Sequence, residues 1–224
     1  MKKLCTGLAV LGLMVAGAQA DIILGWSFSG ATPIVSQVAN DVLNANLDSG
    51  GAYNNLTRGA GAGTSSGNSS FRTVGFQNNG ISVANTDFFE IKLSAASGYT
   101  LSLSGISGTY VGTSSYFASP GVSDQWAYST DGSTFTLIAS AVQSTSLSRS
   151  HDFSGEAALQ NVAAGTDVYL RYYATGQTST GGWGFGSAGI DIDGTITVVP
   201  EPGVMALLSI GGLAVLRVAR RRKS

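Results

Sequence analysis

From Asp87 to Val198 the chain keeps returning to a two-residue alternation of apolar and small polar side chains, interrupted by glycine and serine. Successive side chains of a strand point to opposite faces, so this period predicts half-buried strands and argues against an amphipathic helix. In Tyr99-Thr-Leu-Ser-Leu-Ser-Gly-Ile-Ser107 it places Tyr99, Leu101 and Leu103 on one face and Thr100, Ser102 and Ser104 on the other. Asp87 to Leu93 gathers Phe89, Ile91 and Leu93 on a face that excludes Glu90 and Lys92. In Val168-Tyr-Leu-Arg-Tyr-Tyr173 the core side is Val168, Leu170 and Tyr172, leaving Tyr169, Arg171 and Tyr173 opposite. Asp131-Gly132, between Trp126–Thr130 and Thr134–Ile138, signals a hairpin because glycine tolerates the positive φ of tight turns. Further strands are predicted at Ile22–Phe28, Phe71–Phe76 and Ile190–Val198.

Little helix is expected. Pro33 to Leu47 carries Val35, Val38, Ala39, Val42 and Leu43 near helical spacing and predicts a helix, and Glu156–Gln160 a single helical turn. Tyr53 to Ser70 has no period and reads as a mobile surface loop. Its glycines lack the Gly-Lys-Ser/Thr ending of a phosphate loop. Short strands with glycine-serine turns predict an all-β chain, an antiparallel two-sheet β-sandwich of jelly-roll type, in one domain over residues 21–199.

The two ends differ from this middle. Lys2 and Lys3, the apolar stretch Leu4–Gly17 and Ala18-Gln19-Ala20 have the order of a secretory signal peptide over residues 1–20, with Cys5 inside it. At the other end, Gly203 to Leu216 is uncharged for 14 residues and is followed by Arg217, Arg220, Arg221, Arg222 and Lys223. An apolar helix with a positive flank is a stop-transfer pattern. As a helix it reaches about 21 Å against a hydrocarbon layer of ~30 Å. Transient membrane insertion with the basic tail left in the cytoplasm fits that length.

Between the two ends, twelve acidic and five basic residues give the 21–199 domain a net charge of −7. Nucleic acid is thereby excluded as a partner, since its binding needs a basic footprint. The domain contains no cysteine, which removes disulfides and thiol chemistry.

Pro200-Glu201-Pro202, the apolar segment and the arginine cluster, over residues 200–224, together resemble the PEP-CTERM sorting signal of Gram-negative bacteria. The resemblance implies export across the inner membrane by the secretion machinery, a membrane-anchored precursor, and recognition by an exosortase that cuts near the triplet. It also implies a destination at the cell surface or in a biofilm matrix, beside extracellular polysaccharide. Phe88–Ser94, Tyr99–Ile106, Trp126–Phe135 and Gly189–Gly194 resemble jelly-roll ectodomains of secreted bacterial proteins, many of which bind carbohydrate.

No catalytic motif stands out. Ser150, His151 and Asp152 are adjacent, and neighbours on a strand face opposite ways, so they do not form a triad; His151 reads as a solvated loop residue. Asp191 and Asp193 share one strand face about 7 Å apart. They read first as surface or turn-capping carboxylates, and if they bind a cofactor it is structural calcium, which collects carboxylates. Gly181-Gly-Trp-Gly-Phe-Gly186 leaves two alternatives for Trp183: glycines packing backbones around a buried indole, or glycines exposing it. An exposed Trp183 near Tyr169, Arg171 or Tyr173 would make a carbohydrate platform. Trp26 and Trp126 are expected in the core. The expected function is non-enzymatic association with polysaccharide; the alternatives are a structural or adhesive protein acting through protein contacts, and a glycan hydrolase using carboxylates such as Asp191.

Overall fold

The computed structural model describes residues 20–30, 33–65, 67–112, 121–144, 147–178 and 182–200. The expected signal peptide over residues 1–20, apart from Ala20, and the expected sorting tail over residues 200–224, apart from Pro200 and so including Glu201, Pro202, Arg217, Arg220, Arg221, Arg222 and Lys223, lie outside the described residues. Among those described, no helix is long and apolar enough to cross a membrane.

Antiparallel pairing builds two sheets. Sheet I runs β11 (Leu147–Asp152), β7 (Tyr99–Gly112), β14 (Trp183–Val198), β1 (Asp21–Trp26) and β3 (Val42–Leu43), with β12 (Val162–Ala163) beside β7 and β5 (Phe71–Thr73) beside β14. Sheet II runs β10 (Val142–Ser144), β8 (Val122–Ser129), β13 (Val168–Thr175), β6 (Phe88–Leu93), β4 (Asn55–Arg58) and β2 (Gln37–Val38), with β9 (Thr136–Leu137) beside β8. The chain is thus an all-β sandwich, and the alternation selects its faces as expected. Phe89, Ile91 and Leu93 are fully buried, as are Val168, Leu170 and Tyr172, and as are Leu101 and Leu103.

Beyond Leu103, β7 changes parity, because Ile106 and Tyr110 also point inward. An uninterrupted strand cannot do this. The register slips at that point, with Gly194 opposite Leu103 and Asp193 opposite Gly105, so Ser104 is the extra residue of a β-bulge.

The space between the sheets is filled by aromatic rings. Trp126 of sheet II stacks on Phe185 of sheet I at 6.1 Å between centroids, and Tyr172 meets Phe185 at 5.1 Å and Phe89 at 6.0 Å. All three indole N–H groups find acceptors: Trp26 on the Gln37 carbonyl at 2.8 Å, Trp126 on Tyr110 Oη at 3.3 Å and Trp183 on Tyr172 Oη at 2.7 Å. Trp183 is therefore the buried alternative. A Cβ at Gly184 would stand 2.2 Å from the Phe71 carbonyl oxygen, so the glycine lets β5 close over the indole. Gly189, at φ +83, lies where a Cβ would be 1.5 Å from the Trp26 carbonyl oxygen, which only glycine permits.

Three local expectations are corrected. Residues 33–47 form no helix: the Ala39 amide donates to Asn54 O, Asn40 and Asp41 to Gly25 O, and Asn44 to Ile23 O. Those bonds tie the segment to the edges of both sheets as β2 and β3, overriding its helical spacing. Tyr53 to Ser70 is not a free loop, since β4 pairs with β6 and buries Leu56, and the Arg58 guanidinium covers the Phe71 ring at 3.8 Å. The expected hairpin is present: β8 pairs with β9 across Asp131-Gly132, Gly132 has φ +72, and Asp131 Oδ1 accepts from the Ser133 and Thr134 amides at 2.7 Å each. His151 lies on β11, not in a loop, and its side chain is only 11 % exposed.

Every described strand and core residue falls between Asp21 and Val199, so that span carries its own core. Trp183→Ala is expected to lower the unfolding free energy of this domain by about 3–5 kcal/mol, measured by urea denaturation. The loss reports lost packing, not a lost ligand contact.

Candidate functional site

The outward side of sheet II carries the densest set of partly exposed aromatic and charged side chains. It follows from the register of β6 with β13, which sets Tyr169 opposite Lys92, Arg171 opposite Glu90 and Tyr173 opposite Phe88. The alternation that buries Phe89, Ile91, Leu170 and Tyr172 turns these six outward as three rungs.

The first rung is closed by Asp167. Lys92 Nζ stands 2.8 Å from Asp167 Oδ2, Tyr53 Oη donates to Oδ1 at 2.7 Å and Tyr169 Oη to Oδ2 at 3.3 Å. The ammonium also lies over the Tyr53 ring at 4.4 Å and the Tyr169 ring at 5.4 Å. Burial alone would raise Asp167, yet the hydrogen bonds from Lys92 and Tyr53 hold it below the ordinary carboxylate range. The hydrogen bond to Asp167 pushes the Lys92 ammonium up, and the same partner raises the Tyr53 phenol. The rung stays charged and paired.

The second rung is a clamp. Arg171 Nε donates to Glu90 Oε2 at 2.6 Å, and the guanidinium lies between the rings of Phe88 at 3.9 Å and Phe135 at 3.7 Å. Phe135 arrives on the loop after Asp131, so the turn chemistry of that loop completes the site. In the third rung Tyr173 packs edge-on against Phe88 at 5.8 Å and donates to the Val83 carbonyl, which covers it. Tyr173 is buried, and burial raises its phenol. Each cation is neutralised by one carboxylate, leaving ring edges, two carboxylates and two phenols facing solvent. Such a surface can hold a ligand with apolar C–H faces and many hydroxyls.

Of the predicted carbohydrate residues, Tyr169, Arg171 and Tyr173 come together here, and Trp183 does not. Trp183 belongs to sheet I and is fully buried between the sheets, so it offers no stacking face. Lys92, Asp167, Tyr53, Phe88, Glu90 and Phe135 are not singled out by sequence. The outward placing of Glu90 and Lys92 is readable there, but not which strand lies beside them.

Asp191 and Asp193 do share a face, the outward one of sheet I, on the far side of the molecule. Burial raises both, and the charges of Asp41 and Asp193 add to the rise at Asp191. Asp191 Oδ1 is within 2.6 Å of where a Gly25 Cβ would stand, so the carboxylate rests on bare backbone. Among the described residues no three His, Cys, Asp or Glu side chains gather at one point. Two shallow hollows flank the pair, one of about 480 Å³ walled by Ser107, Thr109, Ser148 and Asp191, and one of about 210 Å³ walled by Ser150, Asp152 and Asp193.

The chain matches no protein-family model, no curated protein and no solved structure. Arg171→Lys is expected to cost about 1 kcal/mol of domain stability, because an ammonium cannot lie flat between two rings while bonding Glu90; the shift of the urea midpoint measures it.

Proposed function

We propose that the chain is an exported, exosortase-sorted, non-enzymatic surface or matrix protein whose jelly-roll-like sandwich associates with extracellular polysaccharide through the outward face of sheet II. The observation that carries this reading is the array of Tyr169–Lys92, Arg171–Glu90 and the Phe88 ring, extended by Tyr53 and Phe135, with Tyr173 itself buried. Pyranose rings present C–H faces to aromatic side chains and hydroxyls to carboxylates and guanidinium groups, and this surface supplies both at the spacing of adjacent strands.

The proposed tethering is supported by where the chain enters and leaves. Asp21 at the start of β1 pairs with Gly194 of β14, and Val198 at the end of β14 pairs with Tyr99. Both connections therefore lie at one end of the sandwich, which suits a domain held at that end by a C-terminal signal. A second reading, an adhesive protein acting through protein contacts, is favoured by the exposed Val35, Val38 and Leu43 along the short edge strands β2 and β3.

Affinity electrophoresis of the 21–199 domain through gels containing the producing organism's exopolysaccharide separates these readings. Retardation is expected, with its loss in Tyr53→Ala/Tyr169→Ala and its retention in Asp191→Ala. Loss only in Asp191→Ala would move the site to sheet I; no retardation of the unaltered domain would leave the adhesive reading. For sorting, Glu201→Ala with Pro202→Ala in the full chain is expected to preserve the unprocessed C-terminal mass and abolish surface display. Unchanged processing and display would refute the sorting assignment.

A further inference from the structure

Strand β11 is the edge of sheet I, and it turns two basic side chains into the sandwich. Arg149 and His151 face the same way, opposite Gly108 and Ile106 of β7. Across the gap, β8 of sheet II presents Asp124, whose carboxyl group is fully buried. Arg149 Nη2 donates to Asp124 Oδ2, and His151 Nε2 stands 3.6 Å from Oδ1. The remaining walls are aromatic. Tyr110 of β7 lies under the guanidinium at 4.3 Å and beside the imidazole at 5.9 Å, and Tyr172 of β13 hydrogen-bonds the carboxylate from behind. Burial pushes both phenols up, so they stay neutral. Among the described residues, Asp124 Oδ1, His151 Nε2 and Arg149 Nε and Nη1 find no hydrogen-bond partner.

Among the described residues, this cluster holds the ion pairs that join the two sheets across the core. Above neutral pH it holds Arg149 as a cation, Asp124 as an anion and His151 neutral, for no net charge. One added proton has two places to go. On His151 it would leave three charged groups in a dry aromatic setting; on Asp124 it leaves only Arg149 charged. Desolvation therefore sends the first proton to the carboxyl.

We propose that Asp124 and His151 form a proton-balanced latch, in which the carboxyl binds in the closed fold the proton that the imidazole would take up on unfolding, so that mild acid does not loosen β11 from sheet II. The titration directions agree. Burial carries Asp124 up to about 6 against the pull of Arg149 and Tyr172, and burial together with Arg149 carries His151 down to about 4. The signs are opposite. A raised carboxyl contributes stability that is present below its unfolded value near 3.9 and is lost as pH rises toward 6. A lowered imidazole contributes stability that is present above about 6.5 and is lost as pH falls toward 4. Between about 4 and 6 the folded pair holds one proton on Asp124 and the unfolded pair one proton on the histidine, and the two slopes cancel.

A mutant cycle on the 21–199 domain tests this, reading the unfolding constant from urea denaturation between pH 4 and 6.5. With the imidazole removed, His151→Gln is expected to lower that constant by ~100-fold relative to wild type on going from pH 6.5 to 4; with the carboxylate removed, Asp124→Asn is expected to raise it by a similar factor. The double variant should follow the wild-type slope, because Asp87, Asp191 and Asp193 titrate in all four proteins. Should Asp124→Asn not fold, the His151→Gln slope and the NMR titration of His151, the only histidine in the sequence, decide the matter. An imidazole titrating in its ordinary range in the folded domain, or single variants sloping in the same direction, would overturn the proposal.

Discussion

Two crossed hydrogen bonds inside the sandwich hold its halves in one register. Trp183 of sheet I donates to Tyr172 of sheet II, and Trp126 of sheet II donates to Tyr110 of sheet I. Each sheet thus supplies one indole and one phenol to the other. A buried N–H without an acceptor costs on the order of 1–3 kcal/mol, so sliding either sheet would forfeit both bonds as well as the ring contacts around Phe185. Non-directional apolar contacts would tolerate such a slide far better. The same two phenols lie against the Asp124 cluster, which makes the polar interior a continuous unit running from Trp183 to the edge strand β11.

This interior explains which parts of the fold could be read in advance. Strands β6 and β13 were legible because their inward residues are all apolar or aromatic while Glu90, Lys92 and Arg171 mark the outward side. Strand β11 has the same alternation, written with Arg149 and His151 on the inward side, and an apolar pattern search passes over it. The valines of residues 33–47 happen to recur at helical spacing, yet the amides of Ala39, Asn40, Asp41 and Asn44 between them are claimed by carbonyls of β1 and of Asn54. Local period cannot anticipate a tertiary claim on the backbone.

The candidate site divides the same way. That Tyr169, Arg171 and Tyr173 face away from the core follows from period two alone. That they meet Lys92, Glu90 and Phe88 depends on which strand pairs with β13 and in what register, and neither is contained in the pattern of a single strand. Trp183 shows the converse: its glycine neighbours signalled close backbone approach, but whether they bared the indole or sealed it was decided by β5, whose Phe71 carbonyl fills the space a Gly184 side chain would need.

The two outward faces differ in chemistry, and that difference bears on the proposed association with a polymer. Sheet I shows serine, threonine and aspartate over shallow hollows, whereas sheet II shows rings interleaved with neutralised cations. Net acidity would repel an anionic glycan from both faces, but on sheet II each carboxylate is already paired and the rings carry no charge, so repulsion is weakest where apolar contact is greatest. Entry at Asp21 and exit at Val198 both lie at one end of the sandwich. On the proposed reading, a polysaccharide strand would lie along the β6 and β13 rungs, and neighbouring copies displayed at one surface would engage it together, so that weak contacts at each copy add through multivalency.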